Sequence, residues 1–303
     1  MRYIQDCEVV THDQAAPSHW RMRLRSEDIA RAAKPGQFCM VEVAETLSPF
    51  LRRPMCFSEI HDDGFTLLYK IEGEGTRLLS QRVPGQTCSI QGPLGNGFPI
   101  VPEIPRHIIV SGGIGVAPFP ALAQALTDAC GRPPEVVLAA RNRELLLCAE
   151  QFESFGCTVY LATDDGSAGK KAYAAQMLER LAPDPGTRIY ACGPMVMMSA
   201  TAAVAAQAGA SCLVSLEAQM ACGDGTCLSC VVEAIIVHQP AAPSATSRRR
   251  LAPSNRMAVA DTESQCSTPA ASRAISSSSR LLAPISSRPS ICMCPGLLPG
   301  RKQ

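Results

Sequence analysis

The run HIIVSGGIGVAPFPALAQALTDAC, from His107 to Cys130, constrains the fold more than any other part of the chain. Its opening is apolar without alternation, as in a strand covered on both faces. It breaks at Ser111 into Gly112, Gly113 and Gly115, and Pro118 then leads into an Ala/Leu-rich stretch of helical period. Strand, glycine turn and helix in that order open a parallel α/β sheet, and the glycines let a ligand such as a dinucleotide approach the backbone at the helix start. Pro118 stands where the G-x-G-x-x-G fingerprint has its last glycine; proline suits a helix start, so the turn remains sound. The same turn also closes α/β sheets that bind nothing.

The texture continues. EVVLAA, TVYLAT and RIYACG read as strands, while KAYAAQMLERLA and MVMMSATAAVAAQAGA read as helices, the latter with Gly209 as its C-terminal cap. Residues 101–216 are therefore expected to form a doubly wound parallel sheet. Residues 1–100 differ. CEVVTH, HWRMRLR, QFCMVEVA, FTLLYKI and TCSIQG are short strand patterns separated by KPGQ, VPGQ and GPLGNG, which predicts an antiparallel barrel or sandwich. The uncharged run from Ile189 to Leu216 is long enough to raise the membrane question, but Pro194, Gln207 and Gly209 divide it into strand, turn, helix and strand.

A formal charge of +1 gives no argument for nucleic acid or anionic membrane as partner. The fifteen cysteines are scattered and odd in number, and the opening MRYIQDCEVV is charged and strand-like. Reduced thiols in a cytoplasmic protein are expected, not a disulfide framework. The stretch 236–303 has no Phe, Tyr or Trp and carries nine Lys or Arg against two acids. Rich in Ser, Pro, Ala and Arg, it is expected to be disordered.

Four shorter motifs can carry chemistry. LRRPMCF presents Arg52 and Arg53 at a strand end, where a guanidinium suits a phosphate oxygen pair or simply faces solvent. In YKIEGEGTRLLSQ, Gly73 and Gly75 precede Thr76, which can cap a short helix facing an anion; the alternative is an acidic hairpin turn. IYACGPM places Cys192, Gly193 and Pro194 on the rim of the glycine turn, either as part of a nucleotide site or as a strand-ending turn. MACGDGTCLSC spaces Cys222, Cys227 and Cys230 as C-x4-C-x2-C, with Gly223 and Gly225 between, a plant-type ferredoxin spacing. Zinc usually takes two C-x2-C pairs, and only one is present.

In order, LSPFLRRPMCFS, YKIEGEGTRLLSQ, GPLGNGF, SGGIGVAP, ATDDGSAGKK, YACGPM and EAQMACGDGTCLSC resemble the electron-transfer subunits of bacterial NAD-dependent dihydroorotate dehydrogenases, members of the ferredoxin reductase superfamily. The resemblance spans 1 to about 234. It implies an FAD-binding β-barrel over 1–100, an NAD-binding α/β domain over 101–216, a 2Fe-2S loop over 217–235 and a disordered tail over 236–303. By similarity, Arg53, Pro54, Met55, Cys56, Tyr69, Lys70 and Ile71 line FAD, and Gly75 with Thr76 hold its pyrophosphate. Gly112, Gly113, Gly115, Cys192, Gly193 and Pro194 correspond to the NAD site, and Cys222, Cys227 and Cys230 to cluster ligands. The implied partner is an FMN-containing catalytic subunit that oxidises dihydroorotate, assembled two plus two. Its electrons pass through the cluster and FAD to NAD in pyrimidine biosynthesis. The sequence offers no separate dihydroorotate site.

Three departures stand out. Cys56 occupies a position where relatives have Ser. Arg141 and Arg143 follow EVVLAA near the place where relatives read the adenosine ribose, which keeps NADP open beside NAD. No fourth cysteine follows Cys230 at the family's spacing; the next are Cys266, Cys292 and Cys294, with Cys266 a poor substitute. The expectation is that an aberrant end from about Ile236 has replaced the last ligand-bearing strand. Other readings are a related reductase subunit serving ferredoxin or sulfur compounds, and a cluster-less or zinc-loaded flavoprotein scaffold.

Overall fold

The computed structural model describes residues 2–44, 48–237, 246–251 and 289–293. The N-terminal unit is a closed six-stranded barrel. Its strands are β1 (Tyr3–Ala16), β2 (His19–Arg25), β3 (Phe38–Val41), β4 (Arg53–Ile60), β5 (Gly64–Lys70) and β6 (Thr87–Leu94), arranged β1-β2-β5-β4-β3-β6. HWRMRLR shows why it closes. His19, Met22 and Leu24 are buried, whereas Arg21, Arg23 and Arg25 reach outward, Arg23 to Asp63 at 2.7 Å and Arg25 to Glu8 at 2.6 Å. Inside, Phe57 and Phe65 pack edge to face with centroids 5.0 Å apart.

Helix α1 (Glu27–Ala32) falls outside the sequence expectation, because six residues are too few to display a period. Its start is nevertheless well specified. Ser26 Oγ accepts from the Ile29 N–H at 3.3 Å, and Glu27 and Asp28 occupy the first turn.

The second unit is a parallel sheet in the order β10-β9-β8-β7-β11-β12-β15. Its strands are β7 (Arg106–Gly112), β8 (Glu135–Ala140), β9 (Thr158–Thr163), β10 (Lys170–Lys171), β11 (Thr187–Cys192), β12 (Ser211–Leu216) and β15 (Pro289–Met293). The helices here are α3 (Phe119–Cys130), α4 (Ala149–Ser154), α5 (Ala174–Arg180) and α6 (Met195–Gln207). Chain order runs outward from β7 to β8, β9 and β10, then resumes on its other side with β11, so the carboxyl ends of β7 and β11 flank a topological switch point. Ser111 and Cys192 are register partners there. At the opposite end, the Arg106 guanidinium meets Glu135 at 2.7 and 3.2 Å and donates to the Leu181 carbonyl at 2.9 Å, tying β7 to β8 and to the end of α5.

One apolar cluster crosses from the barrel into the sheet. Phe98 stacks on Phe119 at 5.9 Å and meets the Tyr190 ring edge-on at 5.4 Å, which holds the mouth of the barrel against the switch point. The uncharged run from Ile189 divides into β11, α6 and β12, and among the described residues no helix is long and apolar enough to cross a membrane.

Part of the expected tail is strand. Thr246–Leu251 (β14) pairs antiparallel with Val232–Val237 (β13), and β15 lies parallel beside β12. Ladder bonds use backbone groups, so an aromatic-free segment can pair along an edge without a side-chain pattern that announces it. Cys292 falls within β15, opposite Ser215; Cys266, Cys294 and the rest of the expected tail lie outside the described residues.

Candidate functional site

A cavity of about 300 Å³ lies where the barrel meets the switch point. The barrel side supplies Arg53, Pro54, Met55 and Cys56 from the start of β4, and Leu68, Tyr69 and Lys70 from the end of β5. The turn after β5 adds Glu72, Gly73, Glu74, Gly75 and Thr76. The sheet side supplies Ile114, Gly115, Ala117 and Pro118 from the turn after β7, Cys192 from the end of β11, and Glu217 and Gln219 just beyond β12. Every residue expected at the flavin lines this cavity except Ile71, whose N–H donates to the Ser18 carbonyl at 2.8 Å.

The two arginines of LRRP separate. Arg52 donates to the Ser89 carbonyl at 2.7 Å and to Ser89 Oγ at 3.0 Å, so it is committed to the barrel wall. Arg53 turns its guanidinium toward Gly75, where an added Cβ would stand 2.8 to 2.9 Å from it. Thr76 does not cap α2 (Glu74–Leu79). Gly73, in extended backbone, is the cap residue, and the helix begins three residues earlier than the threonine reading required. Thr76 Oγ1 instead accepts the Glu72 and Gly73 N–H groups at 2.9 and 3.3 Å, which closes the turn under the cavity.

Of the residues expected at the nicotinamide, Gly115 and Cys192 reach the cavity, Gly112, Gly193 and Pro194 form the contact behind them, and Gly113, at φ +56°, has open space where a Cβ would stand. A Cβ at Gly115 would lie 2.5 Å from the Cys192 carbonyl oxygen and 2.6 Å from Gly193 Cα; one at Gly112 would lie 2.9 Å from Pro194 Cδ. The two turns touch backbone to backbone, and glycine alone permits that.

The electrostatics divide the cavity. Lys70 pairs with Glu72, and Glu74 takes a two-point contact from Arg77 at 2.6 and 2.8 Å, which holds its carboxyl below the ordinary range. Among the described residues Glu217 has no such partner: burial first, and then the charge of Glu72, push its carboxyl up to about 7. Tyr69 is fixed by a relay. His12 Nδ1 faces the Arg82 carbonyl at 2.7 Å and must donate, burial favours the neutral ring, and Nε2 therefore accepts from the Tyr69 hydroxyl at 2.8 Å. The sequence reading missed Glu217 and Gln219. Their only signal was position, immediately after a parallel strand that ends on the rim of Cys192.

The cysteine loop lies against the barrel, with Gly223 so close to Met40 that a Cβ there would stand 2.5 Å from it. Gly223 and Gly225 have φ of +73° and +86°, as a tight loop around sulfur requires. The sulfurs are placed differently, however. Cys222 Sγ accepts from the Cys227 N–H at 3.5 Å, Cys227 is exposed beside Ser229 Oγ, and Cys230 is only 3 % exposed within the apolar cluster. Among the described residues no three His, Cys, Asp or Glu side chains are gathered so as to hold a metal ion. Cys230 packs into the apolar cluster whereas Cys227 faces solvent.

Residues 109–203 match the family model described as the oxidoreductase NAD-binding domain. Among solved structures, the chain is similar to an NADH-dependent reduced ferredoxin-NADP oxidoreductase, with a TM-score of 0.66 and 28% identity over 74% of this chain and 81% of that one. The ferredoxin reductase of carbazole 1,9a-dioxygenase shares the fold, with a TM-score of 0.60 at 21% identity over 69% of this chain and 67% of that one. Barrel, cavity and switch-point turns thus define an oxidoreductase of the ferredoxin reductase type. Closer similarity is to the dihydroorotate dehydrogenase B (NAD(+)) electron transfer subunit of Desulforamulus reducens, 37% identical over 77% of this chain and 90% of the relative. That of Geobacillus kaustophilus is 38% identical over 70% and 82%. The chain belongs to this family of electron transfer subunits.

Proposed function

We propose that the cavity holds FAD and that this chain is the reductase half of a dihydroorotate dehydrogenase, exchanging electrons between an FMN-containing catalytic subunit and NAD. The observation that carries this reading is a single cavity bounded by the barrel residues Arg53–Cys56 on one side and by Gly115 and Cys192 on the other. A flavin seated there meets a nicotinamide presented by the sheet. The cavity suits the group: Met55, Leu68 and Tyr69 give an apolar wall, Arg53 beside Gly75 gives a guanidinium at a bare backbone, and Lys70 adds a second cation.

When bound, FAD supplies the conversion between single electrons and hydride. The protein's own part is placement. Arg53, Gly75 and Thr76 hold phosphate, the His12–Tyr69 relay fixes one wall, and the contact between the Gly115 and Cys192 turns sets how closely the nicotinamide can come. Glu217 holds a proton near neutrality within the same cavity. A four-thiolate cluster needs one ligand more than the three cysteines of the loop, Cys222, Cys227 and Cys230, so no electron step is assigned to them. Relatives named as electron transfer subunits support a catalytic partner; a two-plus-two assembly, a cytoplasmic setting and a role in pyrimidine synthesis belong to the same proposal.

The test is one anaerobic preparation. Bound FAD, NADH-dependent dye reduction and co-purification with an FMN-containing, dihydroorotate-oxidising subunit are expected, with iron below two per chain. A preparation that binds no flavin and reduces no dye with NADH would overturn the reading, and two irons per chain would overturn the account of the cysteine loop.

A further inference from the structure

We infer that Tyr190 is a positioning residue for the nicotinamide: its hydroxyl, held between Pro99 at the end of the barrel and His107 in the sheet, sets how far the Cys192 turn stands from the flavin wall. The role presupposes the flavin and nicotinamide of the proposed function. Tyr190 is fully buried on β11, on the same face as Cys192, which follows two residues or about 6.6 Å along the strand. The barrel end that it meets is fixed. The Phe98 N–H donates to the Pro35 carbonyl at 2.7 Å, and the Phe98 ring fills the space of a Gly36 Cβ, which would stand 2.6 Å from it. Pro99 follows directly, and its carbonyl accepts from the Tyr190 hydroxyl at 3.3 Å.

The directions follow by elimination. A proline carbonyl can only accept, so the phenol proton lies toward Pro99 and the Tyr190 oxygen accepts from His107 Nδ1 at 3.3 Å. Burial first, and then the charges of Arg188 and Arg132, push His107 down to about 4, so its ring is neutral. With its one proton on Nδ1, Nε2 accepts from the Cys130 thiol at 3.7 Å. Burial also keeps the phenol protonated, although the Arg188 guanidinium beside it favours the phenolate. A one-way chain thus runs from Cys130 at the end of α3, through His107 and Tyr190, to the barrel end. Cohesion and position are divided between two parts of one side chain. The ring packs on Phe98 at 5.4 Å and on His107 at 5.9 Å, whereas the hydroxyl bonds are longer than the roughly 2.5–3.0 Å of a strong O–H···O bond and add little stability. What they add is a direction. A second polar bridge between the two units, from Arg21 Nη2 to Gln151 Oε1 at 3.5 Å and Cys148 Sγ at 3.9 Å, is looser and further from Cys192 in the sheet.

The experiment uses the full-length flavin-loaded chain and two readouts: the long-wavelength charge-transfer absorbance of a nicotinamide stacked on a flavin, and the single-turnover rate of flavin reduction by NADH. Y190F keeps the ring and is expected to retain FAD and the urea midpoint of the parent. Its charge-transfer band should weaken and its rate fall at least about threefold, within the roughly 100-fold that a 1 Å misplacement can cost. H107L, which removes the donor to Tyr190, should move both readouts the same way, and H107N, whose amide nitrogen can replace Nδ1–H, should recover most of the loss. V136A truncates the same apolar cluster from β8 and is the control, with a lower urea midpoint and an unchanged band. A band and rate in Y190F equal to the parent's, or a loss that V136A reproduces, would overturn the inference while leaving the flavin and nicotinamide site standing. A parent chain that binds no FAD, or shows no band with NADH, would overturn that site itself.

Discussion

Replacing Gly115 with alanine should damage this protein more than the same change at either glycine of the EGEG turn, and the structure says by how much. A Cβ at Gly115 meets the Cys192 carbonyl oxygen at 2.5 Å and carbonyl carbon at 2.6 Å, whereas ordinary contact begins at 3.4 Å. Both neighbours are backbone, so neither can rotate aside, and the two turns must part by roughly 1 Å, an overpacking that costs about 1–3 kcal/mol. Because those turns set the approach of the nicotinamide, a displacement of about 1 Å should also slow hydride exchange by up to roughly 100-fold. At Gly75 the obstacle is the Arg53 guanidinium, the far end of a flexible side chain. G75A should therefore fold with little loss, helped by up to about 1 kcal/mol of helix propensity, and show its effect as weaker FAD retention. At Gly73 nothing lies within 4 Å of the added atom and the backbone is extended, so G73A should stay within about 0.5 kcal/mol of the parent. Urea unfolding, FAD retention on dialysis and single-turnover reduction by NADH measure the three effects separately. If G115A matched G73A in both stability and rate, the contact between the two turns would be disproved.

Three further outcomes follow from the geometry. The folded chain keeps a proton on Glu217 up to about pH 7 that the unfolded chain gives up near pH 4.5, so stability falls as pH rises through that window. E217Q should be more stable than the parent above pH 7 and equal to it near pH 4 in thermal melts; identical pH profiles would refute the raised carboxyl. R106A should lose about 2 kcal/mol in urea unfolding, because it removes charge-assisted bonds to Glu135 and one to the Leu181 carbonyl, and R106K should recover less than half. In metal-free protein a thiol reagent should label exposed Cys227 first and buried Cys230 last, and equal labelling rates at Cys222, Cys227 and Cys230 would refute the difference in their surroundings.

How much was legible varied with the length of the pattern. Strands such as HWRMRLR and the helix over Phe119–Cys130 repeat their periods long enough to be read, and the glycine turns announce themselves because few other residues can make them. Six-residue α1 and α2 do not, which is why Thr76 reads as a cap although Gly73 holds that place. RRP reads as one basic pair, yet Arg52 is spent on Ser89 and only Arg53 faces the cavity; nothing in the two adjacent letters distinguishes them. Glu217 is equally silent, because an acid acquires a raised carboxyl only from what surrounds it. The composition of the tail likewise does not reveal strands that pair through backbone alone.

By itself the sequence determined the division into barrel and parallel sheet and the family to which both belong, because hydrophobic period and glycine placement are local and survive without neighbours. Tertiary structure decided which residues share a cavity and which merely share a motif. It brought Gly115 to Cys192, turned Arg53 rather than Arg52 inward, and raised Glu217. It also set Cys227 and Cys230 of one motif in different surroundings. The physical reason is that close approach, charge and burial depend on residues far apart in the chain, and those distances exist only after it has folded.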